Sequence, residues 1–404
     1  MTTPTWIRSA PWWLGFLLVV NLYLIPGSGT SPRGTDLIAA GLAVWVLVRA
    51  HHRGVRALPL AVLAAANLLP LIWLFFSYLD GDRGTSVLAA RWLLSIPWAI
   101  ALVEMLRDRG ALDRFAWGLL VGCGANVVVV LMQFLQIDAL LRPFGMSVGD
   151  QDMATWVGKQ TRLPGLHRHY GATSAVTSLI LPPALWFYLR GRHGLWLPLV
   201  ALAGLAVTLH LTFTRSPLVV AAVAVLAAVA TARSPRRSVA ISALLAAVAI
   251  PALIAIGPPG GAVRWSDTAS FQANALERVR STWVGFALSV EHPLGLGQSE
   301  ARRRMIDETA LTATHNAFVQ AGLFFGVPLA LALVVAFAHL AWGLNRGAQS
   351  EQWFLALLAV HLTGLFLFEE HLNNPTFLVL ASWLIAASAD RLERTRRPHV
   401  ASAA

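Results

Sequence analysis

Apolar stretches of about 17–25 residues recur along the whole chain, each long enough to cross the hydrocarbon core of a bilayer as a helix. Read in order, they predict about twelve spans, near 11–26, 35–50, 57–79, 86–106, 112–135, 171–189, 195–213, 216–232, 238–256, 316–343, 352–368 and 374–390. Backbone groups in lipid must be satisfied within their own segment, so the spans should be helices. Runs such as Leu218 to Ala230 do not alternate apolar and polar residues, which excludes a transmembrane barrel. The expected fold is an all-α polytopic membrane protein, with residues 1–404 as a single integral membrane domain. No convincing small-residue cleavage pattern follows the apolar run from Pro11 to Ile25, so it reads as a first span rather than a signal peptide.

Two polar gaps interrupt this rhythm, at about 136–170 and 257–314. Within the second, Ala275, Val279, Trp283, Phe286 and Val290 recur at helical spacing, which predicts a helix from Phe271 to Val290. His292-Pro293 should end it, Gly295 and Gly297 should turn the chain, and Ala301 to Ala310 can form a second short helix.

Composition agrees with a membrane protein. The chain is 56% hydrophobic and only 13% charged, and its mean hydropathy is +0.62. Its net charge of +11 is carried almost wholly by arginine, with Lys159 the only lysine. That charge is spread over short loops, so it marks orientation in the membrane rather than a nucleic-acid surface. Arginines recur after the second, fourth, sixth and eighth spans and in the tail, which puts those connections and both termini in the cytoplasm. The opposite face then receives both long gaps, the Thr214–Ser216 turn and the Glu369–Asn374 turn. The arginines in these outward loops are not explained by topology. The single cysteine, Cys123, falls in a span and reads as a buried structural thiol.

Candidate chemistry gathers at that outward face. His315-Asn316 stands where the larger gap gives way to an apolar span. With Thr314 as the helix cap, His315 would lie in the first turn, where the positive dipole end disfavours the imidazolium and leaves a neutral base. The competing reading is an interfacial histidine that only hydrogen-bonds. Arg215 sits in a tight turn between two apolar spans, suited either to binding phosphate bidentately or to snorkelling to headgroups. Further arginines are Arg142, Arg162 and Arg168 in one loop and Arg264, Arg278, Arg280 and Arg302–Arg304 in the other. The run Arg302–Arg304 reads first as a solvated face. Asp150 and Asp152 form an acidic pair with no His or Glu nearby to complete a ligand set, so no metal or other cofactor is expected. Glu369, Glu370 and His371 should pair with loop arginines. His210, His339 and His361 fall within spans and suit core hydrogen bonds. No phosphate-cradling glycine loop, Ser-His-Asp order or zinc spacing is present.

In order along the chain, these pieces resemble the O-antigen ligase family, whose shared region also occurs in O-antigen polymerases and bacterial protein O-oligosaccharyltransferases. Thr212-Phe213-Thr214-Arg215 is similar to the family's Thr-x-Ser-Arg turn, with Thr in place of Ser and Ser216 in place of the usual Gly. Arg280, Trp283 and then Pro293-Leu294-Gly295-Leu296-Gly297 resemble its arginine–tryptophan helix and Pro-x-x-Gly-x-Gly turn. The arginine usually stands about four positions before the tryptophan, whereas Arg280 is three before and Arg278 five; Arg280 is preferred, with Arg278 in reserve. His315-Asn316, with Gly322 and Gly326 beyond, is similar to the pair that opens the next span. Arg162, Gly165 and His167 resemble the upstream Arg…Gly segment. The resemblance covers roughly 160–345.

The resemblance implies a metal-independent glycosyltransferase with a glycosyltransferase C-like fold and a lid formed by the periplasmic loop 257–314. The donor would be O-antigen glycan on undecaprenyl pyrophosphate, and the acceptor a sugar hydroxyl of the lipid A core. Inverting transfer would occur on the periplasmic face of the bacterial inner membrane. It implies His315 as base and Arg215, Arg280, Arg162, Arg168, Asn316 and Arg278 as substrate-binding residues. An O-antigen polymerase or protein O-oligosaccharyltransferase shares this chemistry. A lipid or polysaccharide transporter is the rival from another class, but it would need midplane charges and matching broken helices.

Overall fold

A computed structural model describes residues 5–21, 33–141, 163–167, 169–212, 214, 216–232, 236, 237, 239, 240, 268–311, 314–347, 350–369 and 371–396. Their regular structure is helical. In chain order the helices are α1 (Thr5–Val19), α2 (Gly34–Arg53), α3 (Ala57–Ala66), α4 (Leu68–Leu79), α5 (Arg83–Met105), α6 (Arg109–Phe134), α7 (Asp138–Leu141), α8 (Tyr170–Ser178) and α9 (Leu181–Leu189). They continue as α10 (Trp196–Thr212), α11 (Ser216–Thr231), α12 (Thr268–Glu291), α13 (Gln298–Thr309), α14 (Ala317–Phe325), α15 (Val327–Ala341), α16 (Glu351–Phe368) and α17 (Pro375–Arg396). Local chemistry sets several starts. Asp82 accepts from the Thr85 amide at 3.1 Å to cap α5, and Asp108 accepts from the Ala111 amide at 3.2 Å to cap α6.

Among the described residues six stretches are long and apolar enough to cross a membrane: Gly34–His52, Arg83–Met105, Gly110–Phe134, Tyr170–Leu189, Val327–Arg346 and Glu351–Phe368. The pair α3 and α4, bent by 40° at Asn67, would make a seventh. Ser9–Val19, α10 and α11 are apolar but shorter. The multi-pass helical fold therefore stands, while twelve spans are not reached among the described residues. The span expected at 238–256 lies almost wholly outside them. The span expected at 316–343 is instead broken at Gly326, between α14 and α15.

Packing divides the chain into two compact units whose segments interleave in sequence. One comprises Met1–Gly34, Asp108–Leu276 and Trp342–Leu365; the other comprises Thr35–Arg107, Glu277–Ala341 and Phe366–Ala404.

In the first unit α1 runs along α6, and α10 packs on α8 and α9. Asp113 pairs with Arg190 at 2.7 Å and also with Arg192, while Arg237 donates to the Leu189 carbonyl at 2.7 Å. His361 and Ser178 share a buried hydrogen bond of 2.8 Å, the core role expected of a histidine within a span. In the second unit α17 packs on α5 and α3, with Trp92, Trp98, Trp383 and Phe377 fully buried. Glu104 pairs with Arg49 at 2.8 Å and with Arg107, and Asp390 pairs with Arg394 at 2.8 Å and with Arg56. In each unit, arginines from connections expected on one side of the membrane thus converge on shared carboxylates.

Candidate functional site

The second unit assembles a site around α12, α13 and the start of α14. The helix α12 forms as its spacing predicts, but its two faces divide the labour unexpectedly. Leu276, Val279, Trp283, Phe286 and Val290 are all exposed, Trp283 at 69%. The packed face carries small residues at four-residue intervals, Ser281, Gly285 and Ser289, each buried, with Leu288 buried beside them. Small residues there let this helix approach neighbouring segments closely.

That face holds the turn bearing His315. The hydroxyl of Thr282 donates to the Thr314 carbonyl at 2.6 Å, and Ser281 points to the same oxygen at 3.5 Å. At Gly285 a Cβ would come within 2.5 Å of the Thr314 methyl and 3.1 Å of Val319, so any side chain there would displace the turn. The Pro-x-x-Gly-x-Gly segment has an equally physical basis. The amides of Leu296 and Gly297 donate to Leu323 and Phe324 carbonyls at 2.8 and 3.0 Å, and the Val327 amide donates to the Pro293 carbonyl at 2.9 Å. Backbone lies directly on backbone here. Gly295 (φ +87°) and Gly326 (φ +104°) leave no room for a Cβ and adopt a conformation that L residues avoid. Gly326 therefore breaks the expected single span.

Asn316, not Thr314, caps α14. Its side-chain oxygen accepts from the Phe318 and Val319 amides at 3.0 and 3.1 Å. Asparagine is as good a cap as any residue, and with it in place the helix begins at Ala317. The expected Thr314 cap is therefore corrected, and His315 stands before the cap rather than in the first turn. Thr314 instead bonds Asn316 locally, donating to its carbonyl at 2.9 Å. His315 itself adopts φ +51°, a left-handed conformation that costs an ordinary L residue roughly 1–2 kcal/mol. Such strain persists where surrounding contacts impose it, and it concentrates at functional sites.

The imidazole is half-buried, and its Nδ1 is buried without a hydrogen-bond partner. Burial pushes the His315 pKa down, and Arg278 lowers it further; Glu369 and Glu277 pull in the opposite direction. Burial and Arg278 both favour the neutral imidazole. Desolvation and a cation are what lower it, rather than a place in the first helical turn.

Arg278 and Arg280 diverge. Arg278 donates to the Phe368 carbonyl at 3.0 Å and to Glu369 at 3.3 Å, the pairing expected for Glu369. Arg280 donates to the Glu308 carbonyl near the end of α13 at 3.1 Å. Arg303 and Arg304 are paired with Glu300 at 2.6 and 2.9 Å, a charged face whose hydrogen bonds hold Glu300 down at about 2. Among the described residues no three of His, Cys, Asp and Glu cluster in a metal-holding group; Asp150 and Asp152 lie outside the described residues.

Arg162, Arg168 and Arg215 also lie outside the described residues, but their neighbours in the first unit are placed. Gln133 accepts from the Gly165 amide at 2.8 Å, and Asn126 accepts from the Leu166 amide at 3.3 Å. Asn126 is itself fixed by donating to Thr177 at 2.7 Å and to the Thr173 carbonyl at 3.1 Å. The Leu163 amide donates to the Leu211 carbonyl at 3.2 Å, which ties the 163–167 turn to the end of α10. The 163–167 turn is therefore a docked, largely buried structure. His167 within it is held down to about 3 by burial and by Arg33.

Residues 197–334 match the family model described as O-Antigen ligase. Over this stretch the chain is similar to the O-antigen ligase family. This region runs from α10 into α15 and contains Arg215, Arg278, Arg280, His315 and Asn316; Arg162, Arg168 and Glu369 lie outside it. The family is one of glycosyltransferase-type enzymes. No curated protein matches the chain. Sequence reasoning passed over Ser281, Thr282 and Gly285, although the small residues on α12 were a visible signal. It also passed over Asn126 and Gln133, two amides within an apolar helix.

Proposed function

We propose that the protein is an O-antigen ligase, transferring O-antigen glycan from undecaprenyl pyrophosphate to a sugar hydroxyl of lipid A core. Transfer takes place on the periplasmic face of the inner membrane. The observation that carries this reading is His315: a strained, half-buried imidazole whose neutral form burial and Arg278 favour, inside the stretch similar to the O-antigen ligase family. Burial of Nδ1 leaves Nε2 to meet the acceptor. As the acceptor oxygen bonds to the anomeric carbon, its proton passes to Nε2. The bond from that carbon to the pyrophosphate oxygen breaks, and undecaprenyl pyrophosphate departs with the electron pair. Arg278, Arg280, Arg215, Arg162, Arg168 and Asn316 are the residues assigned to that donor. Arginine suits this task because its planar fork binds phosphate oxygens in pairs.

The test is transfer by purified protein in lipid. One lipid-linked donor is offered with lipid A core, with a second donor molecule, or with a pilin-like protein. Glycan on lipid A core alone is the expected result; product on either other acceptor, with none on the core, would displace the ligase reading. His315→Ala should lower the rate by about a hundredfold to ten-thousandfold, the usual contribution of a general base.

A further inference from the structure

We propose that Glu369 is a positioning residue for this transfer: with the Phe368 carbonyl it fixes Arg278 beside His315 and balances the charge at the imidazole. The inference rests on the proposed function for its chemistry but on geometry for the assignment. Arg278 lies three and four residues before Ser281 and Thr282, so it is one turn along the helix face that grips Thr314. Its Nη1 donates both to the Phe368 carbonyl at 3.0 Å and to a Glu369 carboxylate oxygen at 3.3 Å, across 90 and 91 residues of chain. Phe366, two residues before Phe368, packs edge-on against Phe318 of α14 at 5.5 Å, so the end of α16 is anchored to the helix that follows His315. A backbone carbonyl and a carboxylate from one turn thus aim the guanidinium.

The charged groups acting on His315 are Arg278 and Glu277 from α12 and Glu369 from the turn after α16; α14 contributes no charged residue. Glu369 offsets the cation that Arg278 brings. Without it, the same arginine would press the imidazole further toward its neutral form and would lose its Glu369 carboxylate partner.

The experiment titrates His315 directly, by its rate of modification with diethyl pyrocarbonate across pH, read on the His315 peptide by mass spectrometry. The pH dependence of kcat/KM for transfer is measured alongside. Glu369→Gln should move the midpoint down by on the order of half a pH unit, and Arg278→Gln should move it up. Glu369→Asp should restore most of the wild-type value. The donor KM should rise several-fold in Glu369→Gln, because Arg278 is no longer aimed, while kcat at high pH changes little. If Glu369→Gln does not yield folded protein, Glu369→Asp must shift the midpoint in the same direction by a smaller amount. A midpoint unmoved in these variants overturns the assignment. A protein that transfers no glycan but shows the shifts would refute the proposed function and leave the positioning role standing.

Discussion

Thr282 donates its hydroxyl to the Thr314 carbonyl at 2.6 Å, and through that bond the small-residue face of α12 dictates where the turn bearing His315 lies. Replacing Thr282 by Val keeps the shape and removes the bond, at a cost of about 0.5–1.5 kcal/mol. Glycan transfer should fall in kcat more than in donor KM, because the base is loosened while the arginines are untouched. Steady-state kinetics on the variant in lipid will show this.

Gly285 leaves space for the same turn. A Cβ there would stand 2.5 Å from the Thr314 methyl, so Gly285→Ala must move one backbone relative to the other. The helix itself should gain slightly, since alanine favours helix by about 1 kcal/mol over glycine. The expected outcome is a protein that keeps its helicity and melting behaviour within a few degrees but loses most activity. Circular dichroism and transfer assays, run together, will show whether the two separate.

Asn316 has a structural duty that can be parted from any contact with substrate. Asn316→Ala should cost about 0.5–2 kcal/mol through the lost cap. Asn316→Asp keeps a capping oxygen for the Phe318 and Val319 amides and should restore stability. It also adds a negative charge beside His315. A pyrophosphate donor should therefore bind more weakly to the Asp variant, read as a raised donor KM in a protein of near wild-type stability.

Gln133 and Asn126 anchor the 163–167 turn from within an apolar helix. Gln133→Leu would strand the Gly165 amide, and an unsatisfied buried donor costs about 1–3 kcal/mol. If the turn presents Arg162 and Arg168 to the donor as proposed, donor KM should rise with little change in kcat. Equal loss in both constants would speak for a general defect in folding.

His167 gives a pH signature of stability. Its pKa is depressed from 6.5 to about 3 by burial and the Arg33 cation, so the unfolded chain binds a proton that the folded chain refuses. The stabilisation is complete above pH 6.5 and is lost progressively as the pH falls toward 3, amounting to a few kcal/mol in order of magnitude. His167→Asn should flatten the dependence of unfolding temperature on pH between those limits, as differential scanning fluorimetry in detergent can measure.

The sequence by itself determined the helical, multi-pass character, the helix expected from Phe271 to Val290 and found as Thr268–Glu291, and the short helix expected from Ala301 to Ala310 and found as Gln298–Thr309. These are local matters. A segment in lipid must satisfy its own backbone, and an amphipathic period is written in consecutive residues. Only the tertiary structure decided that α12 turns its apolar face outward, that Asn316 rather than Thr314 caps α14, and that Gly326 breaks a span. It also decided that Arg278 is the arginine whose charge acts on His315. Spacing preferred Arg280 and kept Arg278 in reserve, whereas in the structure they part on partners 91 and 28 residues away, Glu369 and the Glu308 carbonyl. Such choices follow from which backbones can approach closely and which buried or half-buried groups find partners, and neither is recorded in any window of neighbouring residues.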